Sequence, residues 1–208
     1  MGDENQVSLT DAIIAALAAE APGVDVRIRA LSVDTVEDAR RGRIDLAISP
    51  DLTPLPATAG GVDLSEFHRR QLYVRRFVVA WSPLFARPSL TLEEYVGADH
   101  VIVSFEGGGW GFVDDLLAQR GLKRRVAASV TSFHAAARVA ARSRLLVTLR
   151  EEVARAAPGE LVFCPPPLPL PALKMLMLWH PQVHTSPRQR FLRALVADAV
   201  LERIGSGG

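Results

Sequence analysis

The residues best suited to hold a small molecule lie in the stretch Val101–Gly121, VIVSFEGGGWGFVDDLLAQRG. Three consecutive glycines, Gly107, Gly108 and Gly109, follow an apolar run and precede Trp110. A strand that turns there into a helix exposes backbone N–H groups at the helix start, and these suit a carboxylate or another anion. The indole of Trp110 adds a flat face for an apolar or aromatic body. The plain alternative is a strand-to-helix turn whose tryptophan packs into the core.

Other chemistry is easier to set aside. No Lys-Ser/Thr follows the glycines, so the turn is not a P-loop, and the G-x-G-x-x-G pattern of a dinucleotide site is absent. No G-x-S-x-G elbow occurs. His180 and His184 are four apart, but Pro181 between them spoils a helical metal pair. Asp114 and Asp115 suit a helix N-terminus electrostatically and need no catalytic role. The runs Lys123-Arg124-Arg125 and Arg40-Arg41 read as solvated faces. No nucleophile–base pair can be named. The expectation is a protein that is not an enzyme, with no metal and no cofactor.

Composition points the same way. Lys plus Arg number 24 against 23 Asp plus Glu, so no basic field supports nucleic-acid binding by this chain itself. The single cysteine, Cys164, lies in an apolar run and reads as an inert buried thiol. The start shows no leader pattern and no apolar run is long enough to span a bilayer, so a cytoplasmic location is expected.

These residues need elements to position them. Ser8 with Asp11 suggests a capped helix carrying Leu9, Ile13, Ala16 and Leu17 on one face and stopping at Ala21-Pro22-Gly23. Val24, Val26 and Ile28 alternate with charged residues as a strand does. A short helix Thr35–Arg41 then closes on Gly42, before a buried strand Ile44–Ile48. This reads as a βαβ unit with a parallel sheet. Asp51–Gly61 is a loop, and strands follow around Phe67–Tyr73 and Phe77–Trp81.

A second series runs from a helix at Leu90–Tyr95 through the strand His100–Phe105 and the helix Gly111–Arg120. It continues with the strand Arg124–Val130, the helix Phe133–Arg142, the strand Leu145–Leu149 and the helix Glu151–Ala156. Pro165–Pro171 is a stiff connector, with docking to a proline-binding partner the minor option. Leu173–Trp179 is an apolar strand, and Ser186 with Pro187 starts a last helix. Its buried stripe should hold Phe191, Leu192, Leu195, Val196, Ala199 and Val200. Two α/β lobes joined by two crossover strands follow, with ligand between them.

The order of these motifs resembles a known family. The run Ala19–Ile48, AEAPGVDVRIRALSVDTVEDARRGRIDLAI, looks like the effector-binding domain of LysR-type transcriptional regulators. Gly121–Arg125 with its following strand and helix, and Leu178-Trp179-His180 before a helix with Phe191-Leu192, also fit. The last motif resembles the branch of nodulation-gene and aromatic-degradation regulators. The resemblance implies an α/β, periplasmic-binding-protein-like (type 2) fold, with lobe I at 1–78 and 181–208 and lobe II at 79–180. It also implies that a first strand is truncated ahead of Asp3 and that the family's DNA-binding domain is absent.

Family pocket positions fall on Asp3, Glu4, Ser32, Ser49, Gly108, Gly109, Trp110, Ser132, Phe133 and Thr148, with Phe105 beside them. Ser132 and backbone N–H groups would hold a polar or anionic end, and Trp110, Phe105 and Phe133 a ring. Asp3 and Glu4 could instead favour a neutral or cationic inducer. The implied partners are a small-molecule inducer, a second copy of the chain (a tetramer in the full-length protein), and DNA only through the absent domain. Membranes are not implied. The alternative is a transporter's solute-binding protein with the same fold.

Overall fold

A computed structural model describes residues 3–29, 34–51, 65–85, 90–104, 108–156 and 160–205, with side chains from residue 9 onward. They fall into two compact units, one of 1–51, 61–74 and 174–208, the other of 52–60 and 75–173.

Unit 1 begins with helix α1 (Asp3–Glu20). Nothing in DENQVS opposes a helix, so it starts five residues before Ser8, the cap expected from sequence. Asp3 and Glu4 are therefore helical and not part of a loop. α2 (Thr35–Arg40) ends before Gly42, whose φ of 67° is the left-handed conformation expected there. β1 (Ala47–Pro50), β2 (His68–Arg75) and β8 (Leu173–Trp179) form a sheet in the order β1-β8-β2. β8 runs antiparallel to β1, with Ile48 opposite Met177.

Leu9, Ile13 and Leu17 of α1 meet Met175, Met177 and Trp179 of the sheet, together with Val196 and Val200 of α7 (Pro187–Gly205). Ala39 of α2 and Phe67 pack with Leu176 and Leu178, which point to the other face. The alternation along β8 thus feeds two cores. Phe191, expected in the buried stripe of α7, is 51% exposed; Gln189 and Arg193 are buried instead. Gln189 donates to Asp45 and Arg193 to the carbonyl of His184, while the side-chain oxygen of Gln189 has no hydrogen-bond partner among the described residues.

The strand expected at Val24–Ile28 does not form. Residues 24–29 are irregular, and Val24 and Val26 are 48% and 36% exposed. No described strand pairs with them, and an unpaired strand has no ladder to hold it. The parallel βαβ unit of the N-terminal half is accordingly absent among the described residues.

Arg29 pairs with the buried Asp38 at 2.9 Å, and Arg43 hydrogen-bonds the same carboxylate. The Arg43 hydrogen bond, with Arg29 adding to it, holds the Asp38 carboxyl below its ordinary value of 3.8. A depressed carboxylate pKa stabilises fully above the ordinary value, and this stabilisation is lost as pH falls through the lowered one. Amide exchange across 34–43 should therefore quicken below about pH 4 in the native chain. In Asp38→Asn it should already be fast at neutral pH and respond little to acid.

Unit 2 is a five-stranded sheet in the order β5-β4-β6-β3-β7. Its strands are β3 (Phe77–Trp81), β4 (Asp99–Val103), β5 (Arg125–Val130), β6 (Leu146–Arg150) and β7 (Val162–Cys164). β4 is parallel to β5 and β6, whereas β3 is antiparallel to β6 and β7. α5 (Phe133–Ala141) and α6 (Glu151–Arg155) cover one face through Val147 and Leu149. α3 (Leu92–Gly97) and α4 (Phe112–Ala118) cover the other through Val79 and Leu146.

Candidate functional site

Thr148 and Arg150 share the face of β6 that carries Leu146, because side chains two apart in a strand point the same way. Above Thr148 lies Tyr95 of α3, fully buried, with its hydroxyl 2.7 Å from the Thr148 hydroxyl. Arg124 Nη1 donates to Tyr95 Oη at 2.7 Å. Its Nε and Nη2 donate to the two oxygens of Asp114 at 2.8 and 3.0 Å. His100, also buried, touches Arg124 and sits against the Tyr95 ring.

Arg124 was expected on a solvated face, yet its side chain is only 3% exposed. The cause is Asp114, which offers a bidentate carboxylate inside unit 2. Burial works to lower the Arg124 pKa, but Asp114 and Tyr95 outweigh it, so the guanidinium sits above its ordinary value. Burial pushes the Tyr95 phenol up, so it keeps its proton.

A guanidinium only donates, so Tyr95 Oη accepts from Arg124. Between the Tyr95 and Thr148 hydroxyls either oxygen can be the donor.

The glycine turn is arranged differently from the sequence reading. The N–H of Gly108 donates to Ser104 Oγ at 2.9 Å, and its carbonyl accepts from Ser129 Oγ at 2.9 Å. The N–H of Gly111 donates to Asp114 at 2.8 Å. The start of α4 thus has its own anion, and the backbone donors expected for a ligand are in part engaged. Trp110 is 47% exposed, and its indole N–H donates to Asp115 at 2.7 Å. With Gly109 it lines a surface cavity beside Lys123–Val126.

α5 starts at Ser132, whose hydroxyl accepts the N–H of Ala135 at 3.3 Å. The Arg150 guanidinium lies 5.2 Å from the centre of the Phe133 ring. Arg150 is 3% exposed, and burial lowers its pKa to about 10, so it remains a cation at neutral pH. Ser132, Phe133, Arg150 and Thr148 therefore follow one another around the end of β6. Ser49, in unit 1, is 6% exposed and donates to the carbonyl of Pro50. Ser32 and Phe105 lie outside the described residues, as do the side chains of Asp3 and Glu4.

Sequence reasoning missed Arg150, Tyr95 and Arg124. A lone cation closing the apolar strand LLVTL was the available signal for Arg150. It also missed a stack in unit 1. His68 and His184 lie 4.2 Å apart, Trp179 donates to His184 Nδ1, and Arg193 covers Trp179 at 4.6 Å. Cys164 is half-buried, and burial raises its pKa, as suits an inert thiol. Among the described residues no three His, Cys, Asp or Glu are grouped to hold a metal.

Residues 7–200 match the family described as the LysR substrate binding domain, and the chain belongs to that family. Its fold is α/β and periplasmic-binding-protein-like, type 2. The transcriptional activator NagR from Ralstonia sp. is 28% identical over 97% of this chain and 66% of its own length. Nodulation protein D 1 of Sinorhizobium fredii is 26% identical over 94% of this chain and 59% of its own. A probable transcriptional regulator from Pseudomonas aeruginosa superposes with a TM-score of 0.79 at 25% identity. That superposition covers 95% of this chain and 65% of the other. The chain thus spans less than two thirds of the length of these relatives. It is an effector-binding domain of the LysR type, and the relatives named are regulators, not enzymes.

Proposed function

We propose that this domain senses a small aromatic carboxylate and passes its presence on through a change in oligomer arrangement. The observation that carries the ligand class is the buried Arg150 cation over the Phe133 ring, at the start of the nine-residue helix α5. A cation, an aromatic face and a helix N-terminus together favour an anion attached to a ring. Thr148, whose hydroxyl is bonded to that of Tyr95, adds a polar group for a second atom of the ligand. The partners in this reading are a second copy of the chain and DNA, the latter through the family's DNA-binding domain. In this reading the domain works in the cytoplasm. No described helix is long and apolar enough to cross a membrane.

A thermal-shift screen of aromatic acids against their neutral amides and alcohols tests the reading. A ligand at 100 times its Kd should stabilise the domain by about 2.7 kcal/mol. The acids are expected to shift the melting midpoint, and Ser132→Ala and Phe133→Ala to shrink that shift. A shift unchanged in both variants, or confined to cationic compounds, would overturn it.

A further inference from the structure

The surface cavity beside Trp110 belongs wholly to unit 2 and has a volume of about 670 Å³. Its walls are Val96, Gly109, Trp110, Asp114 and the segment Lys123–Val126. That volume lies within the range of small-molecule sites. The chemistry of the wall can be read group by group. Asp114 and Arg124 neutralise each other in a bidentate pair. Arg125 is paired with Asp99 at 2.5 Å. Lys123 is exposed and makes no ion pair or hydrogen bond among the described residues. Among the described residues, one cation of the lining therefore has no counter-charge.

Trp110 supplies the other half. It is one of only nine large apolar side chains well exposed among the described residues, at 47%. Because its N–H is held by Asp115, the indole has a fixed orientation and presents a face in place of a donor. Val96 and Val126 extend the apolar wall. A ring that stacks on Trp110 can set a single negative group near Lys123, and a lysine recognises such a group as a point charge.

We propose that this cavity is a second ligand site, selective for a flat aromatic compound bearing one negative charge. It uses none of Ser132, Phe133, Thr148 and Arg150, on which the proposed effector site rests, and it assigns Gly109 and Trp110, expected among the effector-pocket positions, to a separate site.

Calorimetric titration of the whole chain with biphenyl-4-carboxylate and with neutral biphenyl-4-methanol tests the proposal. Trp110→Ala should weaken both probes by about tenfold. Lys123→Gln should weaken only the carboxylate, by about threefold, and Lys123→Glu should weaken it further. Phe133→Ala should leave this binding event in place. Lack of saturable binding by the carboxylate at millimolar concentration would overturn the proposal. So would binding left unchanged by Trp110→Ala, or binding that is lost in Phe133→Ala alone, which would place the probe at the α5 site. Since Trp110 and Lys123 are both exposed, these substitutions leave the core intact, and an unchanged melting midpoint verifies it.

Discussion

Arg124→Met is expected to destabilise unit 2 by about 3–5 kcal/mol, the largest effect of any single change considered. The residue contributes no apolar core, and the cost comes from what it leaves behind. Asp114 is 5% exposed and would lose its cationic partner, keeping only the N–H of Gly111. Tyr95 Oη would lose the Arg124 donor and keep only its contact with the Thr148 hydroxyl. For a domain of this size the melting midpoint of unit 2 should fall by roughly 10 °C. Denaturant unfolding followed by near-UV signal from Tyr95 and Trp81 would check this. The two units could unfold separately, so a single-transition fit would not serve. Adding Asp114→Leu should recover part of the loss by removing the stranded charge. Recovery cannot be complete, because Asp114 also holds the N–H of Gly111 at the start of α4. If Arg124→Met unfolds at the native midpoint, the buried ion pair is not what fixes α4 against β5.

Arg150→Met is expected to do the opposite: leave stability at pH 7 undiminished and remove affinity for a carboxylate effector. Burial sets the folded pKa of Arg150 at about 10, below the ordinary range of a guanidinium. A cation whose folded pKa is depressed is held less well in the native state than in the unfolded chain. Its burial is therefore unfavourable at every pH below about 10 and is relieved only as pH rises above that value. Methionine keeps an apolar neighbour for Phe133 without that cost. Binding should suffer because a hydrogen bond to a charged group is worth roughly 2 kcal/mol, or about a 30-fold change in Kd. Titration of an aromatic acid and its amide against both proteins separates the effects. The acid should weaken and the amide should not. Equal weakening of both would mean that Arg150 acts by shaping the end of β6, and not through its charge.

These two arginines show how far the sequence could be read. Both stand in ordinary surroundings on paper, one in the run Lys123-Arg124-Arg125 and the other between Leu149 and Glu151. A charge run is normally solvated, and only the approach of Asp114, ten residues away, makes the middle member a buried one. The glycine turn was recognisable as a turn from its composition. That its donors would be met by Ser104 and Asp114 depended on side chains from β4 and α4 meeting there. Trp110 was identified as a ligand-facing ring, but its neighbours at Lys123–Val126 lie at the start of β5, which no local pattern connects to it.

The sequence by itself determined most elements of unit 2 and the family, because these rest on local signals. Hydrophobic period, proline and glycine positions and the caps at Thr91 and Ser132 act within a few residues of themselves. It also determined α7, whose start at Pro187 follows from the Ser186-Pro187 pair. Tertiary structure alone decided which strands found partners, leaving 24–29 without a described one and setting β1 antiparallel to β8. It decided too which charges were buried. Pairing and burial depend on groups far apart in the chain, and their energies exist only once those groups meet.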